Sequence, residues 1–187
     1  MRSPIKIVLF GPESTGKSVL SEQLAKHFGT IWVAEYARNY LESKKKYYDF
    51  YSKGSEAICL QEDILPIVLG QIAFEDLQIQ SAKKYIFFDT NPLQTKVYVN
   101  YYYKTEYTWL LKILEERSYN LYLLTDIDIE WQPDLLRDRP ENRVELFNLF
   151  EKELKTRQLP YETISGSDTE RLKNAIVKIE HWVEKNK

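Results

Sequence analysis

Gly11-Pro12-Glu13-Ser14-Thr15-Gly16-Lys17-Ser18 is the stretch of sequence that determines the fold of this chain. Its two glycines, followed by lysine and serine, have the spacing of a phosphate-binding P-loop. The glycines allow a tight turn in which successive backbone N–H groups point at phosphate oxygens. Lys17 can neutralise the β and γ phosphates, and the Ser18 hydroxyl can ligate Mg²⁺. The loop therefore predicts a site for ATP and Mg²⁺, with these nucleotide-binding residues: Gly11, Glu13, Ser14, Thr15, Gly16, Lys17 and Ser18.

The segments on either side of the loop favour this interpretation over a plain strand-to-helix turn. Residues 5–10 are a short apolar run that stops at Gly11, which predicts a buried strand. After Gly16, apolar residues recur at intervals of three and four until Gly29, which predicts a helix. Strand, glycine loop and helix thus follow one another in the order that a P-loop requires.

Strands and helices alternate along the rest of the chain. Further short apolar segments predict strands at residues 30–34, 85–88, 119–124 and 161–164. Helical spacing marks residues 35–46, 55–83 and 171–185. Pro66 and Gly70 are expected to kink or divide the second of these helices. The alternation predicts an α/β fold with about five parallel strands flanked by helices, in one domain that spans residues 1–187.

Composition excludes several classes of function. The chain has 187 residues, a hydrophobic content of 43% and a net charge of -2, so it can bury one core but has no positive field for a nucleic acid. The single cysteine, Cys59, cannot form an intramolecular disulfide, and the beginning of the chain lacks a signal-peptide pattern. No apolar stretch approaches the roughly 20 residues of a membrane helix. We therefore expect a cytoplasmic protein without nucleic-acid or membrane partners.

Tyrosine is unusually abundant, with 14 in the chain. Several lie in two clusters, Tyr47, Tyr48 and Tyr51, and Tyr98, Tyr101, Tyr102, Tyr103 and Tyr107. Because tyrosine is amphipathic, these clusters suit a ring-stacking site or a protein interface. The alternative is that they are aromatic edges of helices, half buried against a sheet.

Asp89 comes at the end of a predicted strand that is parallel to the strand before the P-loop. In open α/β sheets, ligands bind at the edge formed by the carboxyl ends of the strands. Its carboxylate could hold Mg²⁺ together with Ser18, or accept the proton of an attacking hydroxyl. A helix N-cap is the alternative, since Asp89-Thr90-Asn91-Pro92 also resembles a capping segment. The two roles are compatible.

Three arginines lie within the seven residues Arg137-Asp138-Arg139-Pro140-Glu141-Asn142-Arg143. They predict a lid at about residues 132–143 that closes over the transferring phosphate, supplies positive charge and excludes water. The alternative is a solvated loop in which the acids balance the arginines.

Glu35-Tyr36-Ala37-Arg38 follows a predicted strand at the P-loop edge, where the acid and the aromatic ring suit a ribose and a flat ring. Arg38 suits a phosphate or a carboxylate.

Together these segments resemble the nicotinamide riboside kinase domain of the bacterial NadR type, a P-loop kinase group. The resemblance rests on the P-loop and on further motifs in the same order: Glu35-Tyr36-Ala37-Arg38-x-Tyr40-Leu41, Asp89-Thr90-x-x-x-x-Thr95-Lys96, Leu123-Leu124-Thr125-Asp126-x-Asp128-x-x-Trp131-x-x-Asp134-x-x-Arg137-Asp138, and Gly166 with Arg171. It implies a fold of the nucleoside- and nucleotide-kinase type. It also implies transfer of the ATP γ-phosphate to the 5′-hydroxyl of nicotinamide riboside, which gives nicotinamide mononucleotide.

The same resemblance implies roles for individual residues. Lys17, Asp89, Arg137 and Arg143 would be catalytic, with Asp89 as the base or the metal-orienting acid. Glu35, Tyr36, Arg38, Asp126 and Trp131 would lie on the substrate side, and Gly166 would belong to the nucleotide site.

Family members often have a second acid where this chain has Asn91, so we expect an altered metal or ribose contact. The chain also has no segment like the adenylyltransferase domain or the DNA-binding helix-turn-helix of the larger proteins, so by itself it is expected neither to make NAD nor to repress transcription. Two other functions remain open. One is a P-loop kinase for another nucleoside or small metabolite, and the other is a regulatory ATPase without a small-molecule acceptor.

Overall fold

Five short apolar strands form one parallel sheet in the computed structural model, which describes residues 3–51, 59–132 and 140–186. The strands are β1 (Ile5–Phe10), β2 (Ile31–Val33), β3 (Tyr85–Asp89), β4 (Leu121–Thr125) and β5 (Tyr161–Ile164). Their order across the sheet is β2-β3-β1-β4-β5, so β1 lies at the centre. The predicted α/β fold with a five-stranded parallel sheet is confirmed.

The central strands are mostly apolar because both of their faces are covered. Val8 and Phe10 of β1 pack on one face of the sheet, against Leu93 and Phe150 of the helices there. The alternate residues Ile7 and Leu9 pack on the other face, in a core with the helices that follow β1 and β5. This burial of both faces explains why the strands read as continuous apolar runs.

Seven α-helices connect and cover the strands in the part of the chain that the structure describes. They are α1 (Lys17–His27), α2 (Tyr36–Tyr51), α3 (Ile64–Gln78), α4 (Pro92–Tyr103), α5 (Thr108–Glu116), α6 (Arg143–Thr156) and α7 (Asp168–Lys185). Helices α4, α5 and α6 were not predicted, and α4 carries its apolar and polar residues without a clear stripe. No helix among the described residues is long and apolar enough to cross a membrane.

The expected division of the helix at Pro66 and Gly70 was wrong, because α3 runs through both residues without interruption. Pro66 lies in the first turn, where a backbone N–H has no partner within the helix. Gly70 faces the ring of Tyr36 so closely that a Cβ atom there would lie 2.1 Å from Tyr36 Cε1. The glycine therefore permits α2 and α3 to approach each other. Of the predicted helical segment 55–83, residues 55–58 lie outside the described residues.

Candidate active site

The P-loop turns where β1 meets β4, and its shape depends on glycine. Gly11 has φ 136° and Gly16 has φ 76°, which are left-handed conformations that favour glycine. A Cβ atom at Gly11 would lie 2.9 Å from Thr125 Oγ1, so a side chain has no room there. The Thr15 hydroxyl lies 2.8 Å from the Pro12 carbonyl and 2.7 Å from the Thr125 hydroxyl, which fastens the loop to the end of β4.

Lys17 is the first residue of α1 and reaches back over the loop. Its Nζ donates to the carbonyl of Gly11 at 3.0 Å and to that of Pro12 at 2.6 Å, and the residue is only 8% exposed. The ammonium is thus held beside the loop, near the positive N-terminal end of α1. The charge of the ammonium and the dipole of the helix both favour a bound polyphosphate.

Asp89 ends β3 directly beside Leu9 of β1, so its carboxyl group lies next to the P-loop. It is 2% exposed, and its Oδ1 has no hydrogen-bond partner among the described residues. Burial raises the pKa of Asp89, while hydrogen bonding with Ser18 and the charges of Lys17 and Arg38 oppose the shift. A carboxylate and a hydroxyl in this arrangement are ligands that Mg²⁺ accepts, so Ser18 and Asp89 fit the predicted metal site.

The backbone after Asp89 is strained. Thr90 has φ 71°, an unfavourable conformation for a β-branched residue. The N-cap of α4 is Asn91, with Pro92 at the start of the helix, so Asp89 itself does not cap the helix. The turn at Thr90 instead separates the side chain of Asp89 from that of Asn91. The Asp89 carboxyl therefore stays at the edge of the sheet.

A cavity of about 600 Å³ extends from the P-loop into the space between α2, α3 and α4. Its apolar lining comes from Leu41, Cys59, Ile64, Ile67, Val99 and Tyr103. Its polar lining outside the P-loop includes Glu35, Arg38, Gln71, Asn91, Gln94 and Tyr98. A mostly apolar pocket with a few convergent polar groups is typical of a small-molecule site.

The cavity brings together many of the predicted site residues, namely Glu13, Ser14, Thr15, Gly16, Lys17, Ser18, Glu35 and Arg38. Tyr36 is not in its lining. The ring of Tyr36 instead packs against α3, with its centroid 5.7 Å from that of Phe74. The expectation that Tyr36 faces the riboside therefore lacks support in this geometry. Arg137 and most of the predicted lid lie outside the described residues.

The other predicted residues lie on the outer flank of the P-loop, away from the cavity lining. Trp131 Nε1 donates to Glu13 Oε1 at 3.4 Å. The Asp126 carboxylate accepts from the backbone N–H of Ile127 at 2.8 Å. Arg143 donates to the carbonyls of Ile129 and Ser14, at 2.8 Å and 3.2 Å. Burial lowers the pKa of Arg143. The contacts of Trp131 and Arg143 hold the segment after β4 against the loop, and none of the three side chains is in the cavity lining.

Arg171 is a site residue that the pattern of residue types did not reveal. It is 4% exposed, and its guanidinium donates to the carbonyls of Thr15 at 3.2 Å and Gly166 at 2.7 Å. It also forms an ion pair with Asp128. Arg171 therefore joins the P-loop to the turn before α7, and Gly166 contributes through its backbone. Only the resemblance motif, which ends at this arginine, pointed to it.

The tyrosine clusters divide between the two interpretations. Tyr98, Tyr102 and Tyr103 line the cavity, which favours a ring-binding site there. Tyr101 and Tyr107 pack at the margins of the cores, as aromatic helix edges do. Of the first cluster, Tyr47 is exposed, and the side chains of Tyr48 and Tyr51 lie outside the described part of the structure.

The loop, the acid at the end of the adjacent parallel strand and the cavity at this sheet edge define a P-loop nucleotide-binding domain. A family model described as an AAA domain matches residues 6–171, and the chain belongs to this family.

Known proteins match most of the chain. The trifunctional NAD biosynthesis/regulator protein NadR of Escherichia coli (strain K12) is 28% identical over 165 residues, which are 87% of this chain and 38% of that protein. This chain thus spans well under half the length of that relative. A crystal structure of NadR protein in complex with NR matches with a TM-score of 0.78 at 20% identity, over 96% of this chain and 52% of that chain. Deoxyadenosine kinase from M. mycoides matches with a TM-score of 0.62 at 16% identity, over 95% of this chain and 100% of that chain.

These findings confirm two predictions from the sequence. The chain resembles NadR-type proteins, and its fold is that of a P-loop protein similar to nucleoside kinases.

Proposed function

We propose that this chain is a kinase that transfers the γ-phosphate of ATP to the 5′-hydroxyl of nicotinamide riboside. The products are ADP and nicotinamide mononucleotide. One observation carries the proposal: P-loop residues 13–18 line a nucleoside-sized cavity, and Asp89 lies beside them, hydrogen-bonded with Ser18. The similarity to NadR, and to a NadR structure in complex with NR, supports the choice of acceptor.

The phosphate donor binds at the loop. Backbone N–H groups of the P-loop and the Lys17 ammonium bind the β and γ phosphates. Ser18 and Asp89 are the residues that would hold Mg²⁺, and the orphaned Oδ1 of Asp89 supplies an oxygen for it. When bound, the ion neutralises negative charge on the phosphates.

The acceptor hydroxyl attacks the γ-phosphorus, and the bond from that phosphorus to the bridging oxygen of ADP breaks. The hydroxyl proton needs an acceptor, and Asp89 is our candidate base, as the alternative to its role as a metal ligand, because it lies at the P-loop edge of the cavity. The positive charges of Lys17 and Arg38 favour its ionised form against the effect of burial. We assign the supply of positive charge to the transferring group, and the exclusion of water, to Arg137 of the lid. Arg143 would join it only after exchanging its bonds with the carbonyls of Ile129 and Ser14 for phosphate oxygens.

The acceptor side of the cavity suits a nucleoside with a positively charged ring. Tyr98, Tyr102 and Tyr103 provide aromatic faces. Glu13 and Glu35 line the same cavity as Tyr98. Burial, followed by the negative charges of these two acids, raises the pKa of the Tyr98 phenol. Aromatic faces and carboxylates together attract a pyridinium ring.

Two buried amide oxygens complete the acceptor side. Asn91 Oδ1 and Gln94 Oε1 have no hydrogen-bond partner among the described residues, and both side chains line the cavity. A buried amide oxygen of this kind costs free energy unless a hydrogen-bond donor reaches it. We infer that both oxygens accept hydrogen bonds from the hydroxyl groups of the ribose. Asn91 Nδ2 donates to the Tyr122 hydroxyl at 3.1 Å, which directs its oxygen away from that partner.

The test is mass-spectrometric detection of nicotinamide mononucleotide after incubation of the chain with Mg²⁺-ATP and nicotinamide riboside. We expect product to accumulate with ADP in equal amounts. Hydrolysis of ATP that is slow and unaffected by the riboside would instead support the regulatory ATPase. A second candidate acceptor, another nucleoside, is favoured by the amide side chains of the pocket, which can pair with many ring edges. A panel of nucleosides in the same assay distinguishes the two.

A further inference from the structure

Gln71 is a buried polar residue on an otherwise apolar stretch of helix. It follows Ile64 and Ile67 at helical spacing on α3, and all three line the cavity. It is 4% exposed. A buried amide in an apolar setting requires hydrogen-bond partners for both its oxygen and its nitrogen.

The amide of Gln71 is held in one orientation. Its Oε1 accepts from the backbone N–H of Tyr36 at 2.9 Å, and a backbone N–H can only donate. Its Nε2 donates to Glu75 Oε1 at 3.2 Å. Glu75 is fixed in turn, since its Oε2 accepts from Tyr119 at 2.6 Å and from Arg117 at 2.9 Å. The oxygen and nitrogen of Gln71 therefore cannot exchange places without losing both bonds.

Half of the hydrogen-bonding capacity of this amide is unused. Nε2 carries two hydrogens and Oε1 has two lone pairs, and among the described residues each atom makes one bond. One N–H and one lone pair thus remain for a ligand in the cavity. A primary carboxamide has a complementary pair, because it offers both an N–H donor and a carbonyl acceptor.

A carboxylate would match Gln71 less well. It can accept from the free N–H but has no donor for the free lone pair. It would also bring negative charge towards the Glu75 carboxylate, which lies directly behind the amide.

On the basis of the proposed function, we propose that Gln71 is a specificity-determining residue. It recognises a primary carboxamide on the ring of the acceptor. It favours such an acceptor over one that differs only in carrying a carboxylate.

The experiment compares nicotinamide riboside with the matched riboside of the pyridine carboxylate. Both kcat/KM for phosphoryl transfer and the equilibrium Kd from calorimetry are measured for each ligand. The variants are Gln71→Met, which keeps the size and removes the amide, and Gln71→Asn, which withdraws the amide by one methylene. Gln80→Met, at an exposed position outside the cavity lining, is the matched control. Circular dichroism and ATP affinity check that each variant folds.

We expect the unchanged chain and Gln80→Met to prefer the carboxamide by about 10-fold or more, as buried polar recognition allows. In both Gln71 variants, this preference should fall to within about 3-fold, while ATP affinity stays the same. A folded Gln71→Met that keeps the full preference overturns the inference, as does an unchanged chain that uses both ribosides equally. In either case, the kinase proposal stands. If the unchanged chain binds the ribosides but transfers no phosphate, the kinase proposal fails and the Kd ratios still test Gln71. If it binds neither riboside, both proposals fail.

Discussion

At the scale of single residues, Lys17 is the positively charged group closest to the expected phosphate position. Its Nζ is held beside the loop by the carbonyls of Gly11 and Pro12, where it can exchange those contacts for phosphate oxygens. Lys17→Ala should lower kcat/KM for phosphoryl transfer by on the order of 10²–10³-fold, because one charged donor to the transferring group is lost. The matched control is Lys26→Ala on the exposed side of the same helix, for which steady-state kinetics should show no change. Equal activities of the two variants would contradict the role of Lys17.

Kinetics can distinguish a role of Asp89 in phosphoryl transfer from a role in nucleotide binding. Asp89→Asn keeps the shape of the side chain but removes its charge, so kcat should fall by on the order of 10²–10⁴-fold while the Kd for ATP changes little. Asp76→Asn, at an exposed carboxylate paired with Arg117, is the control. Full turnover by Asp89→Asn would show that Asp89 is neither base nor metal ligand.

Side-chain partnerships at this scale were the hardest to predict. Arg171 contacts the carbonyl of Thr15, which is 156 positions away in sequence, and no local pattern encodes such a contact. Gln71 gave one signal that was overlooked, since it interrupts an apolar helix face. Asp89 and the P-loop residues were found because their neighbours in sequence also define their place at the end of a strand.

At the scale of elements, the packing of α2 on α3 depends on Gly70. Gly70→Ala should destabilise the chain by about 1–2 kcal/mol, because the new methyl group collides with the Tyr36 ring and outweighs the better helix propensity of alanine. Chemical denaturation measures the loss. In a Tyr36→Ala background, the same change should be neutral or stabilising. An equal loss in both backgrounds would exclude the ring contact as the cause.

Helices α4 and α6 are joined by a partly buried ion pair. Lys96 Nζ lies 2.6 Å from Glu153 Oε2, and Arg157 Nε lies 2.6 Å from Glu153 Oε1. Burial acts to raise the pKa of Glu153, but its bonds with Arg157 and Lys96 outweigh this effect and lower it. The lowered pKa means that the contribution of Glu153 to stability is present above its unfolded pKa and is lost as the pH falls through its folded pKa.

Glu153→Gln should therefore cost roughly 1.5–3 kcal/mol near neutral pH and less in acid, after allowance for partial exposure. Denaturation at about pH 7 and about pH 3 measures both values, with Glu180→Gln at an exposed position of α7 as the control. A loss that is the same at both pH values would contradict the ionic role of Glu153.

Several elements with strong local signals were predicted well, and α4, which has none, was not. The order of β1, the P-loop and α1 follows from an apolar run, two glycines and a periodic helix. Helix α4 lacks that periodicity, because it contacts the sheet, α3 and the cavity on different sides. Helix α5 is amphipathic, so its sequence did carry a signal that was overlooked. The predicted break in α3 was wrong because proline tolerance depends on the position within a helix, which sequence alone did not locate.

At the scale of the whole molecule, the sheet order places the two halves of the site together. Strand β1 carries the P-loop and its neighbour β3 carries Asp89, although 72 positions separate Lys17 from Asp89 in sequence. The cavity then opens beside both, between the helices that follow β2 and β3. The division into a donor side and an acceptor side is therefore a consequence of parallel topology.

We expect the P-loop to bind Mg²⁺-ATP, and calorimetric titration of the chain with Mg²⁺-ATP tests this claim most directly. We predict saturable binding to one site below the millimolar range, and its loss or strong weakening in Lys17→Ala. A folded chain that takes up no Mg²⁺-nucleoside triphosphate at millimolar concentration would contradict the claim.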